Sequence, residues 1–394
     1  MSESQPGLHT RLQAARWLWM PLLAFCLTRA GIALVAYVAA SLLPENPLPP
    51  PYHLRPDNIL LDVFGSRWDT GFYLSIANEG YKYEGAQLPS VAFFPLLPLF
   101  ISLVSRLTND TLTAGILVAN AALLLASIFF YRLVALEGDE SVAERAVWYL
   151  LIFPTSFFGS TIYSESLFLL CAIGALYMAR RGYWESAAML GVMAALTRLV
   201  GLIVAPMLLI EWWMQRRNRE EWEEPPPRWA ILAPALVPLG TVGYMLFLRA
   251  RFGDPLAFLH ASAAWERVPQ PVWTIVSDML QPPAEGWSAA LLAGNLPLDN
   301  WIDLFIVVLF IVLGLVLLRQ RRWSEAVFVL LGALIPLNSG LLMSQRRYVW
   351  VLFPVFMLLA RWGKNHWVDR LVTLFSLLGL GLFTALFAAW YWVG

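Results

Sequence analysis

The chain has 394 residues, of which 59% are hydrophobic and only 14% charged, with a mean hydropathy of +0.62. Soluble domains carry about 25% charged residues, so this composition excludes an ordinary soluble enzyme, a disordered tail and a disulfide-stapled secreted domain, and it points to an all-α polytopic membrane protein. The formal net charge is zero, which gives no support to a nucleic acid partner.

Residues 1–15 are polar, and the apolar run at 17–43 is too long for the hydrophobic region of a cleavable signal peptide, so it reads as a first span. Further spans are expected near 111–131, 143–161, 164–180, 184–198, 199–214, 229–249, 300–318, 324–342, 347–361 and 368–392. The stretch 91–107 is apolar but holds Pro95 and Pro98, and the positive-inside rule decides its place. If it does not cross and the N-terminus is cytoplasmic with Arg11 and Arg16, the arginine clusters at 132/145, 180/181, 216/217/219, 319/321/322 and 361/370 all fall inside. The expectation is therefore eleven spans in a single integral domain, 1–394, with two large extracytoplasmic loops at 44–110 and 250–299. Cys26 and Cys171 lie inside apolar runs and read as core residues without a disulfide or a metal. The 25 arginines beside two lysines suggest a GC-rich bacterial genome.

The basic residues left off the inner face are Arg29, Arg55, Arg67, Lys82, Arg106, Arg198, Arg249, Arg251, Arg267, Arg346 and Arg347. At membrane level such arginines need a partner, and an anionic ligand at the outer interface would supply one. The first loop opens with a proline-rich extended entry, 44–56. It continues through 61–73, where one helix would put Asp62 and Asp69 on a shared face with Tyr73 one turn on. That pattern suits a site where a polar reaction meets a lipid-borne substrate, and equally an interfacial helix with solvated acids. The two prolines in Ala92-Phe93-Phe94-Pro95-Leu96-Leu97-Pro98 favour a short broken helix over a kinked span.

Glu165 opens a span at the outer rim, either stabilised by the helix dipole or serving as a second acid. Arg198, at an outer turn, either pairs with an acid such as Glu165 or holds a phosphate. Arg346 and Arg347 before Tyr348 stand at a helix N-terminus, where the dipole opposes cations unless an anion sits between them. In the second loop, Trp265 and Trp273 either stack on a sugar or mark the lipid boundary, and His260 reads as structural. Asn109-Asp110-Thr111 is a glycosylation sequon, without meaning in a bacterial host.

In this order and spacing, several clusters resemble the PIG-V family, the second mannosyltransferase of glycosylphosphatidylinositol assembly, and especially its shorter bacterial relatives. They are Arg67-Trp68-Asp69 with Tyr73, Ala92 to Pro98, Pro154-Thr155-Ser156-Phe157-Phe158 with Tyr163-Ser164-Glu165-Ser166-Leu167, Leu196-Thr197-Arg198 with Gly201, Phe252-Gly253-Asp254-Pro255, and Arg347-Tyr348 with Phe353-Pro354. The resemblance implies the GT-C glycosyltransferase fold, with interfacial helices in the large first outer loop and an acid there. It implies a polyprenyl-phosphate-mannose donor but carries over no acceptor to a bacterial host; the expected reaction is inverting transfer to a hydroxyl of a lipid-linked or glycan acceptor at the extracytoplasmic face of a bacterial plasma membrane (the endoplasmic reticulum in a eukaryote). Asp69 is then the expected general base and Arg198, Arg346 and Arg347 the phosphate ligands. Arg67, Trp68, Tyr73, Glu165, Tyr348 and His260 are the expected substrate contacts. The chain lacks an Asp-x-Asp motif, so no metal or other cofactor is implied. A lipid or lipid-linked sugar transporter is the competing class, but no internal repeat is visible and the polar residues gather at one rim. A non-catalytic assembly subunit is the third reading.

Overall fold

A computed structural model describes residues 15–47, 56–83, 85, 88–218, 225–265, 267, 270–296 and 298–394. Arg11, Arg55, Arg219 and the prolines at 49–51 of the expected entry segment lie outside these residues. The described chain is helical throughout, with no strand in it. Six segments are long and apolar enough to cross a membrane: Arg16–Leu42, Thr111–Ala135, Leu199–Arg217, Arg228–Phe252, Leu298–Arg319 and His366–Ala388. The remaining expected spans are shorter helices, several of them interrupted at one end of the bundle.

Helix α1, Arg16–Leu42, packs on the last helix, His366–Ala388, and on the helices Thr111–Ala135 and Glu140–Ile152. Two short helices follow, α2 (Ile59–Gly65) and α3 (Thr70–Glu79). The single helix expected over 61–73 is therefore broken, and Asp62 and Asp69 share no face. Trp68 takes a left-handed backbone, φ 56°, which ends one helix and re-aims the next. The break is held by side chains. Ser66 Oγ donates to the Asp62 carboxylate (2.8 Å), and Arg67 Nη2 donates to its other oxygen (2.6 Å). Hydroxyl and carboxylate groups that bond locally compete with the helical ladder, and here they prevail.

Helix α4, Leu96–Thr108, has 13 residues. At 1.5 Å per residue it covers about 20 Å, short of the ~30 Å hydrocarbon layer. Pro98 sits in its first turn, where a missing N–H leaves no bond unmade, and Asn109 ends it in a left-handed conformation, φ 55°. Asp110 of the sequon caps α5, Thr111–Ala135, accepting from Thr113 N at 2.7 Å.

Helices α6 (Glu140–Ile152) and α7 (Glu165–Arg180) are separated by irregular backbone over 153–164, with only a 3₁₀ turn at Ser156–Gly159. The expected span at 143–161 thus stops at Ile152, just before Pro154. Non-helical backbone at membrane depth needs internal partners. Arg29, in the middle of α1, supplies them by donating to the carbonyls of Ser156 and Leu151, both at 2.9 Å. Helix α8, Trp184–Thr197, ends the same way: Arg198 is extended and a 3₁₀ turn, Leu199–Ile203, leads into α9, Val204–Arg217. The turn presses on α8 so closely that a Cβ on Gly201 would stand 2.1 Å from the Ala194 carbonyl oxygen. Only glycine fits such an approach.

The second half comprises α10 (Leu232–Leu236), α11 (Leu239–Phe252), three short loop helices α12 (Ala257–Ala261), α13 (Val272–Met279) and α14 (Trp287–Ala293), then α15 (Leu298–Arg319), α16 (Trp323–Leu337), α17 (Gln345–Trp350), α18 (Pro354–Trp362) and α19 (His366–Ala388). The expected span at 347–361 is the broken pair α17–α18.

Many of the basic residues expected on the inner face converge at the bundle end away from these breaks. Arg180 meets Glu325 (2.9 Å), Glu211 (3.2 Å) and Glu137 (3.5 Å), and Arg322 also reaches Glu137 (2.6 Å). Arg361 joins them on Glu137. Asp139 caps α6 and pairs with Lys364 at 2.6 Å. The ammonium of Lys364 and the hydroxyl of Ser141 hold its carboxyl well below the usual carboxylate range.

Candidate active site

The broken helix ends at the opposite pole of the bundle surround a cavity of about 480 Å³. Asp69 and Tyr73 come from the start of α3, Tyr163 and Glu165 from the start of α7, Arg198 from the end of α8, and Arg347 and Tyr348 from α17.

Arg347 stands at the centre, 6% exposed. Its Nη1 donates to Asp69 Oδ2 at 3.2 Å, and its Nε lies 3.4 Å from Glu165 Oε1. The guanidinium is enclosed by the rings of Tyr163, Tyr348, Trp392 and Phe158, whose centroids lie 5.2–5.4 Å away. Arg198 Nη1 donates to the same Glu165 Oε1 at 3.0 Å and faces the Tyr348 ring. Glu165 is 1% exposed, and its Oε2 has no hydrogen-bond partner among the described residues. Asp69 is more accessible, 23% exposed at the side chain, and its backbone N–H donates to the Tyr163 hydroxyl at 3.2 Å.

Arg267, from the second large loop, also lines the cavity. It donates to Tyr348 Oη (3.0 Å) and Ser339 Oγ (3.3 Å), both neutral groups, and has no acid partner among the described residues. Among the described residues, the cavity thus holds three guanidiniums, on Arg198, Arg267 and Arg347, against two carboxylates, on Asp69 and Glu165. A surplus of one positive charge among apolar walls such as Phe93, Phe258 and Val200 asks for one negative charge from a ligand. Both carboxylates are already turned to arginines, so the donor set suits an anion and not a divalent cation.

Of the residues singled out from sequence, Asp69, Tyr73, Glu165, Arg198, Arg347 and Tyr348 meet in this cavity. Four do not line it. Arg346 points the other way, its Nε 2.8 Å from Asp303 Oδ1 and its Nη2 3.0 Å from Asp299 Oδ1, because successive helical residues diverge by about 100°. Its positive charge is compensated there by acids, away from the cavity that holds Arg198 and Arg347. Arg67 is buried on Asp62, donates to the Phe387 carbonyl at 3.1 Å and lies over the Trp390 ring. Trp68 packs against Trp390 and Trp392, with centroids 6.0 and 5.1 Å away, and so braces the cavity wall from behind. His260 is 61% exposed and bonded to Asp254 Oδ2 at 2.7 Å. The sequence reading left Arg267 and Trp392 out of the site. Arg267 carried a signal, as an outer arginine two residues from Trp265, which also lines the cavity. Trp392 carried none beyond its place at the end of the expected last span, 368–392.

A family model described as Mannosyltransferase (PIG-V) matches residues 22–216, which include Asp69, Glu165 and Arg198. That stretch, just under half of the chain, is similar to the PIG-V mannosyltransferase family. The matched region holds the first large loop and three of the cavity's broken helix ends, while Arg267 and Arg347 lie beyond it. No curated protein matches the chain. Among solved structures, the chain is similar to ArnT from Cupriavidus metallidurans bound to undecaprenyl phosphate, with 14% identity over 92% of this chain and 75% of that one and a TM-score of 0.48. It is also similar to the apo oligosaccharyltransferase of Archaeoglobus fulgidus, with 14% identity over 95% of this chain and a TM-score of 0.44. The chain spans 56% of the length of that archaeal protein.

Proposed function

We propose that the protein is a membrane glycosyltransferase that moves mannose from a polyprenyl-phosphate-mannose donor to a hydroxyl of a lipid-linked or glycan acceptor, with inversion, at the extracytoplasmic face of a bacterial plasma membrane. The observation that carries this reading is the Asp69–Arg347–Glu165 bridge inside a cavity with one surplus guanidinium. A polyprenyl-phosphate sugar is a phosphodiester with a single negative charge, which matches that surplus. Its phosphate is the leaving group and needs electrostatic neutralisation more than protonation. Arg267, whose partners are neutral hydroxyls, is the natural first ligand for it. Arg347 and Arg198 complete the cradle. As the phosphate engages Arg347, Asp69 is left free to take the proton of the acceptor hydroxyl, whose oxygen attacks the anomeric carbon from the face opposite the phosphate. Glu165 keeps the two arginines in place. Mannose rests on the family alone. The test is a reconstituted assay: purified protein with polyprenyl-phosphate-mannose and candidate acceptor lipids, reading release of polyprenyl phosphate. Absence of release with every hydroxyl acceptor, despite measurable donor binding, would overturn the reading in favour of transport.

A further inference from the structure

A second cavity, of about 350 Å³, lies at the far pole of the bundle from Asp69. One wall is apolar and comes from α1: Met20, Pro21, Leu23, Ala24 and Leu27. Leu23 and Leu27 are 47% and 58% exposed, so this wall continues onto the outer, lipid-facing surface of the helix. The other wall is charged and of mixed sign, with Glu144, Arg145 and Asp369 beside Ser141 and Tyr131. The cavity has neither a catalytic pair nor a metal-type cluster, and nothing in it repeats the cavity around Arg347.

Two features point to an occupant. Tyr131 is 1% exposed, lines the cavity, and its hydroxyl has no hydrogen-bond partner among the described residues. A buried hydroxyl without a partner is costly, and a ligand oxygen would satisfy it. The charged wall is also incompletely used. Arg145 gives Nη1 to the Ala360 carbonyl at 3.0 Å and meets Asp369 only at 3.5 Å through Nε, which leaves Nη2 without an acceptor among the described residues. Glu144 pairs with Arg16 at the mouth. A purely anionic headgroup would meet Glu144 and Asp369 at close range, and a purely cationic one would meet Arg145 and Arg16. A headgroup with both charges satisfies the wall: its phosphate takes Arg145 and the Tyr131 hydroxyl, its ammonium takes Glu144 and Asp369, and its acyl chain runs along Leu23 and Leu27.

We propose that this cavity is a binding site for a zwitterionic aminophospholipid of the phosphoethanolamine headgroup class. An ammonium with three N–H donors is required, because a quaternary amine could not hydrogen-bond both carboxylates. The site is independent of glycosyl transfer and stands or falls separately from it.

The experiment is native mass spectrometry of the full-length protein in detergent, titrated with dioleoyl phosphatidylethanolamine, phosphatidylglycerol or phosphatidylcholine. The expected result is one retained phosphatidylethanolamine, at an occupancy at least fivefold above the other two. Tyr131→Phe, which removes only a hydroxyl that bonds nothing among the described residues, should keep the fold and lower that occupancy severalfold. Glu144→Gln should abolish the preference over phosphatidylglycerol. Soluble phosphoethanolamine at equal concentration should leave the adduct in place, since it lacks the chain that lies on α1. Equal occupancy by phosphatidylglycerol, displacement by soluble phosphoethanolamine, or unchanged retention in both variants would overturn the proposal. So would a lipid adduct seen only after removal of residues 2–14, which would mark the N-terminal segment as the occupant.

Discussion

Arg347 and Asp69 stand 278 positions apart in the chain and meet at 3.2 Å, on the wall of a cavity where the other acid, Glu165, reaches the same guanidinium. The contact joins the start of α3 to the short helix α17, and it ties the accessible acid of the site to its most enclosed cation. On the proposed chemistry, a ligand that engages Arg347 changes the freedom of Asp69.

Asp69→Asn keeps the shape and the hydrogen bond to Arg347 but removes the base. Transfer should fall about 10²–10⁴-fold, the ordinary contribution of a positioned general base. Binding of polyprenyl phosphate, measured directly, should stay within a few-fold of the parent. Retained turnover in a reconstituted assay would sink the assignment.

Arg267→Ala should act on the donor. A charge-assisted hydrogen bond contributes about 1.5–3 kcal/mol, so donor affinity should fall roughly 10- to 100-fold while the maximal rate changes less. Arg267→Lys should recover part of the loss. An unchanged KM for the donor would remove Arg267 from the phosphate cradle.

Arg346→Met should behave differently from any cavity arginine. It leaves Asp303, 1% exposed, without its partner, and breaking one side of a buried pair costs about 3–5 kcal/mol. The thermal transition in detergent should drop accordingly, and the double variant Arg346→Met/Asp303→Leu should recover much of it. A stable single variant with weakened donor binding would return Arg346 to the cavity.

Gly201→Ala would place a methyl group 2.1 Å from the Ala194 carbonyl oxygen, a backbone atom that cannot step aside. Overpacking of this kind costs about 1–3 kcal/mol, and relief requires the 3₁₀ turn to lift and carry Arg198 with it. Stability and donor affinity should fall together. A neutral effect on both would mean that the turn is not packed as described.

The second loop should respond to acid. Asp254 accepts from His260, from Tyr83 (3.0 Å) and from Leu256 N (2.9 Å), and the His260 contact holds its carboxyl below the usual range. A carboxyl with a depressed folded value stabilises above its unfolded value of about 4 and loses that contribution as pH falls through the folded one. Limited proteolysis across 250–299 should therefore accelerate only below about pH 4. His260→Ala should flatten this acid step, and an acid response unaffected by the substitution would uncouple the loop from this contact.

The sequence made much of this readable because polar residues are scarce in an apolar chain, and those at the ends of apolar runs had to be placed somewhere. Asp69, Glu165, Arg198 and Arg347 were visible for that reason. The break between α2 and α3 was not, because a seven-residue spacing of acids reads as a helix and only the capture of Asp62 by Ser66 and Arg67 undoes it. The separate fates of Arg346 and Arg347 depend on Asp303, some 40 residues away, which nothing local announces. Arg267 was visible as a misplaced outer arginine, but its seat on Tyr348 and Ser339 is a tertiary fact.

The ratio of three guanidiniums to two carboxylates carries a consequence for the whole reaction cycle. A bound phosphodiester makes the cavity neutral. Breaking the sugar–phosphate bond leaves a phosphomonoester, whose second charge is present near neutral pH. On the proposed mechanism the acceptor's proton arrives on Asp69 in the same step and erases one carboxylate. The cavity is then neutral again around the spent carrier, so substrate and product complexes are matched in electrostatic balance, and loss of the Asp69 proton to water supplies the repulsion that drives polyprenyl phosphate out.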